Sequence, residues 1–259
     1  MRKYGHGPFR VAVIHGGPGA PGEMAPVARE LSRDTGVLEP LQTADSVEGQ
    51  VEELRGVLEK DGDIQLILIG FSWGAWLSYI VTARYPLLVR KLILVSSGPF
   101  EEKYAGNIIK TRLSRLSTEE KKEVLYLMTS LDSAKSTDNN TMARFGQLMS
   151  KADSYEPLPR DGERFNFNPD IYHRVWKEAS ELRRSGELLQ LGERIQCPLI
   201  AIHGDFDSHP AEGIREPLSR VLKDFRFILL EKCGHYPWLE RQARDRFYDI
   251  LREEVRLLK

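Results

Sequence analysis

No apolar run in the chain approaches the about 20 residues that span a bilayer. The polar stretch Met1–Arg10 leads directly into Val11–Ile14, which is too short for the core of a signal peptide, so the expected location is the cytoplasm and no membrane partner is expected. Cysteine is nearly absent. The two present, Cys197 and Cys233, have no metal-ligand spacing and build no disulfide framework; they read as free thiols near strand ends. An excess of charge is also missing. A formal net charge of -1 over 259 residues argues against a polyanion-binding surface, so no nucleic-acid partner is expected. There is no internal repeat and no low-complexity tract. What the chain does have is a 41% apolar fraction and enough length to bury a substantial core.

The apolar residues fall into three parts. Through residue 98, short apolar runs at Arg10–Ile14, Val37–Leu41, Leu66–Ile69 and Leu92–Val95 alternate with helix patterns at Gly22–Arg33, Ser46–Lys60 and Ser72–Tyr85. Leu66–Ile69 and Leu92–Val95 are apolar throughout, as strands covered on both faces are. Residues 195–259 repeat the alternation: strands at Leu199–His203 and Phe225–Leu230, helices at Glu212–Leu222 and Arg241–Val255. Strand–helix–strand repetition predicts an α/β fold, doubly wound about a parallel sheet. Only about ten residues precede Val11, which predicts a sheet of about six strands, all parallel. Residues 99–194 carry no buried-strand pattern. Ser117 and Glu120 form a capping box ahead of a helix to about Leu131, and Asn168-Pro169 start another through about Arg184. The predicted organisation is a core of residues 1–98 and 195–259 with a helical subdomain, 99–194, inserted between its halves.

Gly70-Phe71-Ser72-Trp73-Gly74 stands between the strand Leu66–Ile69 and the helix that follows. A sharp strand-to-helix turn there would strain the central serine and lift its hydroxyl above the carboxyl edge of the sheet, where α/β ligand sites lie. The helix start adds a positive dipole end that favours developing negative charge. A serine hydroxyl used as a nucleophile needs a base, and the base needs an orienting carboxylate. Of six histidines, His235 follows the last strand in Cys233-Gly234-His235-Tyr236-Pro237, where a glycine loop can return an imidazole over the sheet edge. His15 and His203 end strands ahead of glycines and suit loop shaping; His209 follows soon after. His203-Gly204-Asp205-Phe206-Asp207 offers two acids. Asp207 lies further into the loop, and a loop, a helix and a strand fit between it and His235. Asp205 is better suited to hydrogen-bonding the loop backbone, and Glu101 or Glu102 is the remaining alternative.

His15-Gly16-Gly17-Pro18-Gly19 follows the strand that ends at Ile14. The backbone N–H groups of Gly17 and Trp73 are the candidates for receiving a carbonyl oxygen as it becomes an oxyanion. No Lys-Ser/Thr follows the glycines, and their spacing is not that of a dinucleotide loop, so phosphate binding is disfavoured. Phe71, Trp73, Tyr236 and Trp238 flank these positions. Phe71, Tyr236 and Trp238 are candidate lining for an apolar or aromatic substrate pocket, although some of them can equally be core.

Taken together, these segments resemble the α/β-hydrolase family over most of residues 10–98 and 195–259. The resemblance implies a triad of Ser72, Asp207 and His235, and a cap over the site formed by residues of about 99–194. The His-Gly-Gly-Pro-Gly loop is similar to that of the prolyl aminopeptidase branch, but also to loops of esterases and carbon–carbon bond hydrolases in the family. An aminopeptidase would need acidic cap residues for a free amino terminus, and Glu101, Glu102, Asp153, Glu156 and Asp161 are available. The expected function is hydrolysis of an ester or amide of a small molecule through an acyl-enzyme. A non-catalytic ligand-binding protein and a lyase or acyl transferase on the same scaffold are the alternatives. No motif for a metal or an organic cofactor is present, and this chemistry requires none.

Overall fold

The computed structural model describes residues 1–133, 139–159 and 168–256. Seven strands form one sheet: β1 (Arg2–Tyr4), β2 (Phe9–Ile14), β3 (Gly36–Glu39), β4 (Leu66–Phe71), β5 (Val89–Val95), β6 (Leu199–Gly204) and β7 (Phe225–Leu230). Their spatial order is β1-β3-β2-β4-β5-β6-β7. The six strands from β2 onward are parallel, as the repeated strand–helix pattern requires.

The exception is β1, which pairs antiparallel with β3 and corrects the expectation that all strands run parallel. Its residues Arg2, Lys3 and Tyr4 have no apolar pattern because the strand lies at the sheet's edge. It is held by side chains instead. Tyr4 donates to Glu39 Oε2 at 2.7 Å, and Arg2 approaches the same oxygen at 3.5 Å. Burial together with the Glu39 bond pushes the Tyr4 phenol up to about 12.

Helices α1 (Ala25–Leu31), α2 (Val47–Asp61) and α3 (Trp73–Arg84) connect the first strands. Ser46 caps α2 by accepting the Gly49 N–H. Between β5 and β6 lie α4 (Ile108–Ser114), α5 (Thr118–Ser133), α6 (Asn139–Ala152), α7 (Pro169–Ser185) and the single turn α8 (Glu187–Gln190). The capping box at α5 is formed: Ser117 N–H donates to Glu120 Oε2 at 3.0 Å, and Glu120 N–H to Ser117 Oγ at 3.2 Å. Asn168 caps α7, and Gly186, at φ 84°, ends it in the left-handed conformation. α9 (Glu212–Val221) and α10 (Arg244–Arg256) complete the chain.

Each face of the sheet has its own core. On one side, Ile14, Leu68 and Leu94 pack with Leu54 of α2, Trp76 and Tyr79 of α3, Val175 and Ala179 of α7, and Ile214 of α9. On the other, Val13, Ile69 and Ile93 pack with Val27 of α1 and with Phe247 and Leu251 of α10. A third, smaller cluster lies wholly within α4–α6 and the turn before α5: Leu116, Val124, Leu127, Leu148 and Met149, with Ile109 and Leu113 at its margin. Among the described residues no helix is long and apolar enough to cross a membrane.

Candidate active site

The turn from β4 into α3 puts Ser72 at φ 51°, ψ -113°, a conformation that side-chain-bearing residues rarely adopt. Its N–H donates to Val95 O at 3.0 Å, so neighbouring β5 clamps the turn. Gly74 is required by close approach: a Cβ there would overlap the carbonyl groups of Ile14 and His15 at the end of β2. The indole of Trp73 turns into the core, where Nε1–H donates to Gln50 Oε1 at 2.8 Å. The Trp73 backbone N–H, at the first position of α3, has no partner within the helix.

The loop after β2 lies against this turn. A Cβ on Gly16 would come within 2.6 Å of the Phe71 ring and 2.7 Å of a Glu23 carboxylate oxygen. Gly17, at φ 32°, accepts the Ala20 N–H at 2.9 Å in a tight turn. His15 is buried and shapes the loop: Nδ1 is 2.7 Å from Gly16 O and donates to it, and Nε2 accepts the Gln42 N–H at 3.3 Å. Burial holds this imidazole neutral, with its pKa lowered to about 4.

His235 and Asp207 meet at the same sheet edge. His235 Nδ1 lies 2.7 Å from Asp207 Oδ2 and donates to it, and both side chains are buried. The His235 ring centre is 4.9 Å from that of Phe71, the residue preceding Ser72. Burial alone would raise the Asp207 carboxyl, but the imidazoles of His235, His209 and His203 outweigh it and hold it well below the usual range. Burial opposes a charge on His235 as well. There the neighbouring Asp207 carboxylate wins, and the imidazole pKa lies above its ordinary 6.5. Asp205 is placed differently: it is exposed, and its Oδ1 accepts the Cys233 N–H at 3.0 Å, which fixes the loop before His235.

The loop bearing His235 is tied to the inserted helices by contacts that no sequence motif announces. The His235 N–H donates to Asp153 O at 2.8 Å. Glu240 is fully buried, and its carboxylate accepts three backbone N–H groups: Gly234 at 3.0 Å, Tyr155 at 2.9 Å and Glu156 at 2.8 Å. Asp153 is paired with Arg112 of α4 at 2.7 Å. Arg115 lies 3.8 Å from the centre of the Phe206 ring and donates to Phe206 O and Ala152 O, joining α6 to the loop of Asp207. Residues 153–158 thus form a strap beside the His235 loop.

The flanking aromatics divide. Phe71 and Trp238 are only 1% and 3% exposed and pack in the core on the α1 and α10 side of the sheet. Tyr236 is half-buried, 5.2 Å ring to ring from His235. The acidic residues considered for amine recognition already have cationic partners: Glu101 with Arg220 and Lys103, Glu102 with Arg183, Asp153 with Arg112, and Glu156 with Arg241. Asp161 lies outside the described residues. Both cysteines are free, and burial pushes their thiols up, Cys197 to about 11.

Among solved structures, VinJ superposes with a TM-score of 0.72 at 17% identity, covering 100% of this chain and 94% of VinJ. The meta-cleavage product hydrolase CumD of Pseudomonas fluorescens IP01 gives 0.64 at 16%, covering 100% and 94%. A thermophilic esterase of Thermogutta terrifontis gives 0.63 at 18%, covering 98% and 92%. Comparison with curated proteins finds no match. Identities this low speak for the fold alone. The sequence itself matches the model of the Alpha/beta hydrolase family over residues 4–250, and with the sheet order and the strained serine turn in place, the chain belongs to that family and is an enzyme of the α/β-hydrolase type.

Proposed function

We propose that this hydrolase cleaves an ester or amide of a small, apolar or aromatic substrate through an acyl-enzyme, with Ser72 as nucleophile, His235 as general base and Asp207 as its orienting acid. The carrying observation is the 2.7 Å hydrogen bond that fixes His235 on Asp207 beside the strained serine turn. With Nδ1–H committed to Asp207, Nε2 of His235 is the atom free to take a proton. In the first step Ser72 Oγ bonds to the substrate carbonyl carbon and its proton passes to His235 Nε2. The carbonyl oxygen becomes an oxyanion, received by the N–H groups of Gly17 and Trp73. The bond to the alcohol or amine leaving group then breaks as His235 returns the proton to it. Water repeats the sequence in reverse: His235 takes its proton, the hydroxyl attacks the acyl carbon, and Ser72 leaves as the free hydroxyl. Tyr236, half-buried beside His235, supplies apolar surface for the acyl group. Helices α4–α6, which have a cluster of their own, act as the cap.

A fluorophosphonate probe applied to the purified protein tests this reading. Labelling is expected on the wild type and is lost in Ser72→Ala and reduced at least about a hundredfold in His235→Ala. A panel of p-nitrophenyl esters and aminoacyl anilides then separates esterase from peptidase. The base works only when neutral, and the Asp207 carboxylate raises its pKa, so kcat/KM should fall toward acid with a midpoint above 6.5. A folded wild type that takes no label and turns over no ester would show that the scaffold serves binding instead.

A further inference from the structure

The Asp207 carboxylate, buried along its whole side chain, is divided between two imidazoles. Oδ2 accepts from His235 Nδ1 at 2.7 Å. Oδ1 accepts from His209 twice, from Nδ1 at 2.8 Å and from the backbone N–H at 3.0 Å. A carboxylate can only accept, so both rings carry their proton on Nδ1 and leave Nε2 bare. The two rings lie 4.8 Å apart at 32°. A third imidazole braces the arrangement: His203 Nε2 lies 2.8 Å from His209 O and donates to it, and is 3.7 Å from Asp207 Oδ2.

Holding one base requires one imidazole on the carboxylate, and the backbone N–H of His209 already satisfies Oδ1. The His209 ring therefore adds something further: a donor that can itself gain a charge. We propose that His209 is a positioning residue for the hydrolytic reaction, fixing the second oxygen of Asp207 and thereby setting how strongly that carboxylate holds, and makes basic, the imidazole of His235. The inference rests on the reading of Ser72, His235 and Asp207 as the triad.

The direction of the effect follows from charge. Each hydrogen bond given to Oδ1 draws electron density from Oδ2 and weakens its pull on the His235 proton. Neutral His209 does this modestly. Protonated His209 would do it strongly and would also repel an imidazolium on His235, so the two rings titrate as a coupled pair. Burial and the Arg112 guanidinium of α4 disfavour a charge on His209, while Asp207 favours one. Asp153, which pairs with Arg112, favours a charge on His235. Arg115, held at Phe206 O, His203, at the end of β6, and the Cys233 thiol also act on the carboxylate. In the working pH range His209 therefore remains the neutral donor that keeps His235 from becoming too strong a base.

Nitrogen-15 NMR of the imidazoles in the full-length protein, alongside the pH profile of kcat/KM on a p-nitrophenyl ester, tests this. His209→Leu removes the donor while filling its space, His209→Ala is a second donor-free variant, and His209→Asn places an amide N–H near the position of Nδ1–H without a titrating group. In the donor-free variants the His235 midpoint should rise by about half a pH unit or more, and the acid limb of kcat/KM should move with it; in His209→Asn both should stay within about 0.2 units of wild type. At pH 7 the donor-free variants should lose about threefold in kcat with KM within about twofold. An active wild type whose His235 midpoint does not move in the donor-free variants would overturn the role of His209 alone. Equal losses in all variants with no movement of the midpoint would do the same, since the losses would then not follow the donor. A wild type that neither labels nor turns over ester would overturn the triad reading, and this role with it, whatever the titration shows.

Discussion

Ser72 and the start of the glycine loop are placed by backbone lying on backbone: Ile14 and His15 meet residues 70–74 from the adjacent strand, with no room for a side chain at Gly74. Asp207 and His235 are placed by side chains and by distant chain. Glu240, Arg112 and Arg115, together with the strap at residues 153–158, hold their two loops. The first half of the site is rigid because any displacement breaks the sheet. The second is rigid only while a network of hydrogen bonds between the core and the insertion stays intact. Side chains added where the backbones touch in the first half should therefore cost stability most, and substitutions in the second should also slow the enzyme.

The largest effect is expected from Gly74→Ala. The added methyl overlaps two carbonyl groups of the neighbouring strand, which is overpacking against backbone that has no rotamer to change. A loss of about 3 kcal/mol, or about 8 °C in Tm, is the expected result in a thermal melt. A normal melting temperature would erase the contrast between the halves. Next comes Glu240→Gln, which keeps the shape but removes the charge and leaves one of the three N–H groups facing another donor. Its stability should fall by about 2 kcal/mol, and fluorophosphonate labelling of Ser72 should slow by about tenfold because the His235 loop shifts. Lowered stability with an unchanged labelling rate would mean that the strap does not position the base. Arg115→Met should do least. It keeps a stem over Phe206 and loses the two bonds to Phe206 O and Ala152 O, an expected cost of about 1 kcal/mol and less than threefold, roughly, in labelling rate.

The same contrast decides what was legible in the sequence. Strands covered on both faces announce themselves by composition, so β4 and β6 are found within two residues of their ends. The start of β5 is missed because Lys91 interrupts the apolar run; in the fold it is buried against Glu254 of α10 at 2.9 Å, a pairing that lies far along the chain. β1 is missed because an edge strand of charged residues has no pattern to show. In the insertion, α5 and α7 are marked by their caps. α4 carries no side-chain cap, and the apolar residues of α4 and α6, such as Leu113, Leu148 and Met149, serve the small local cluster. At the site, Ser72, Asp207 and His235 stand in short glycine-bearing segments that can be read one at a time. His209, Glu240 and the Arg112–Asp153 pair have significance only through partners that local pattern does not bring together, and no spacing rule marks them.

His15 carries a consequence for the conditions under which the enzyme lasts. Its folded pKa of about 4 lies below the ordinary 6.5, so between those values the unfolded chain binds a proton that the folded chain refuses. This contribution to stability is complete above about 6.5 and drains away as the medium turns acid, at about 1.4 kcal/mol per pH unit until about pH 4. The imidazole that gives the glycine loop its form thus takes stability away from the fold as the medium turns acid.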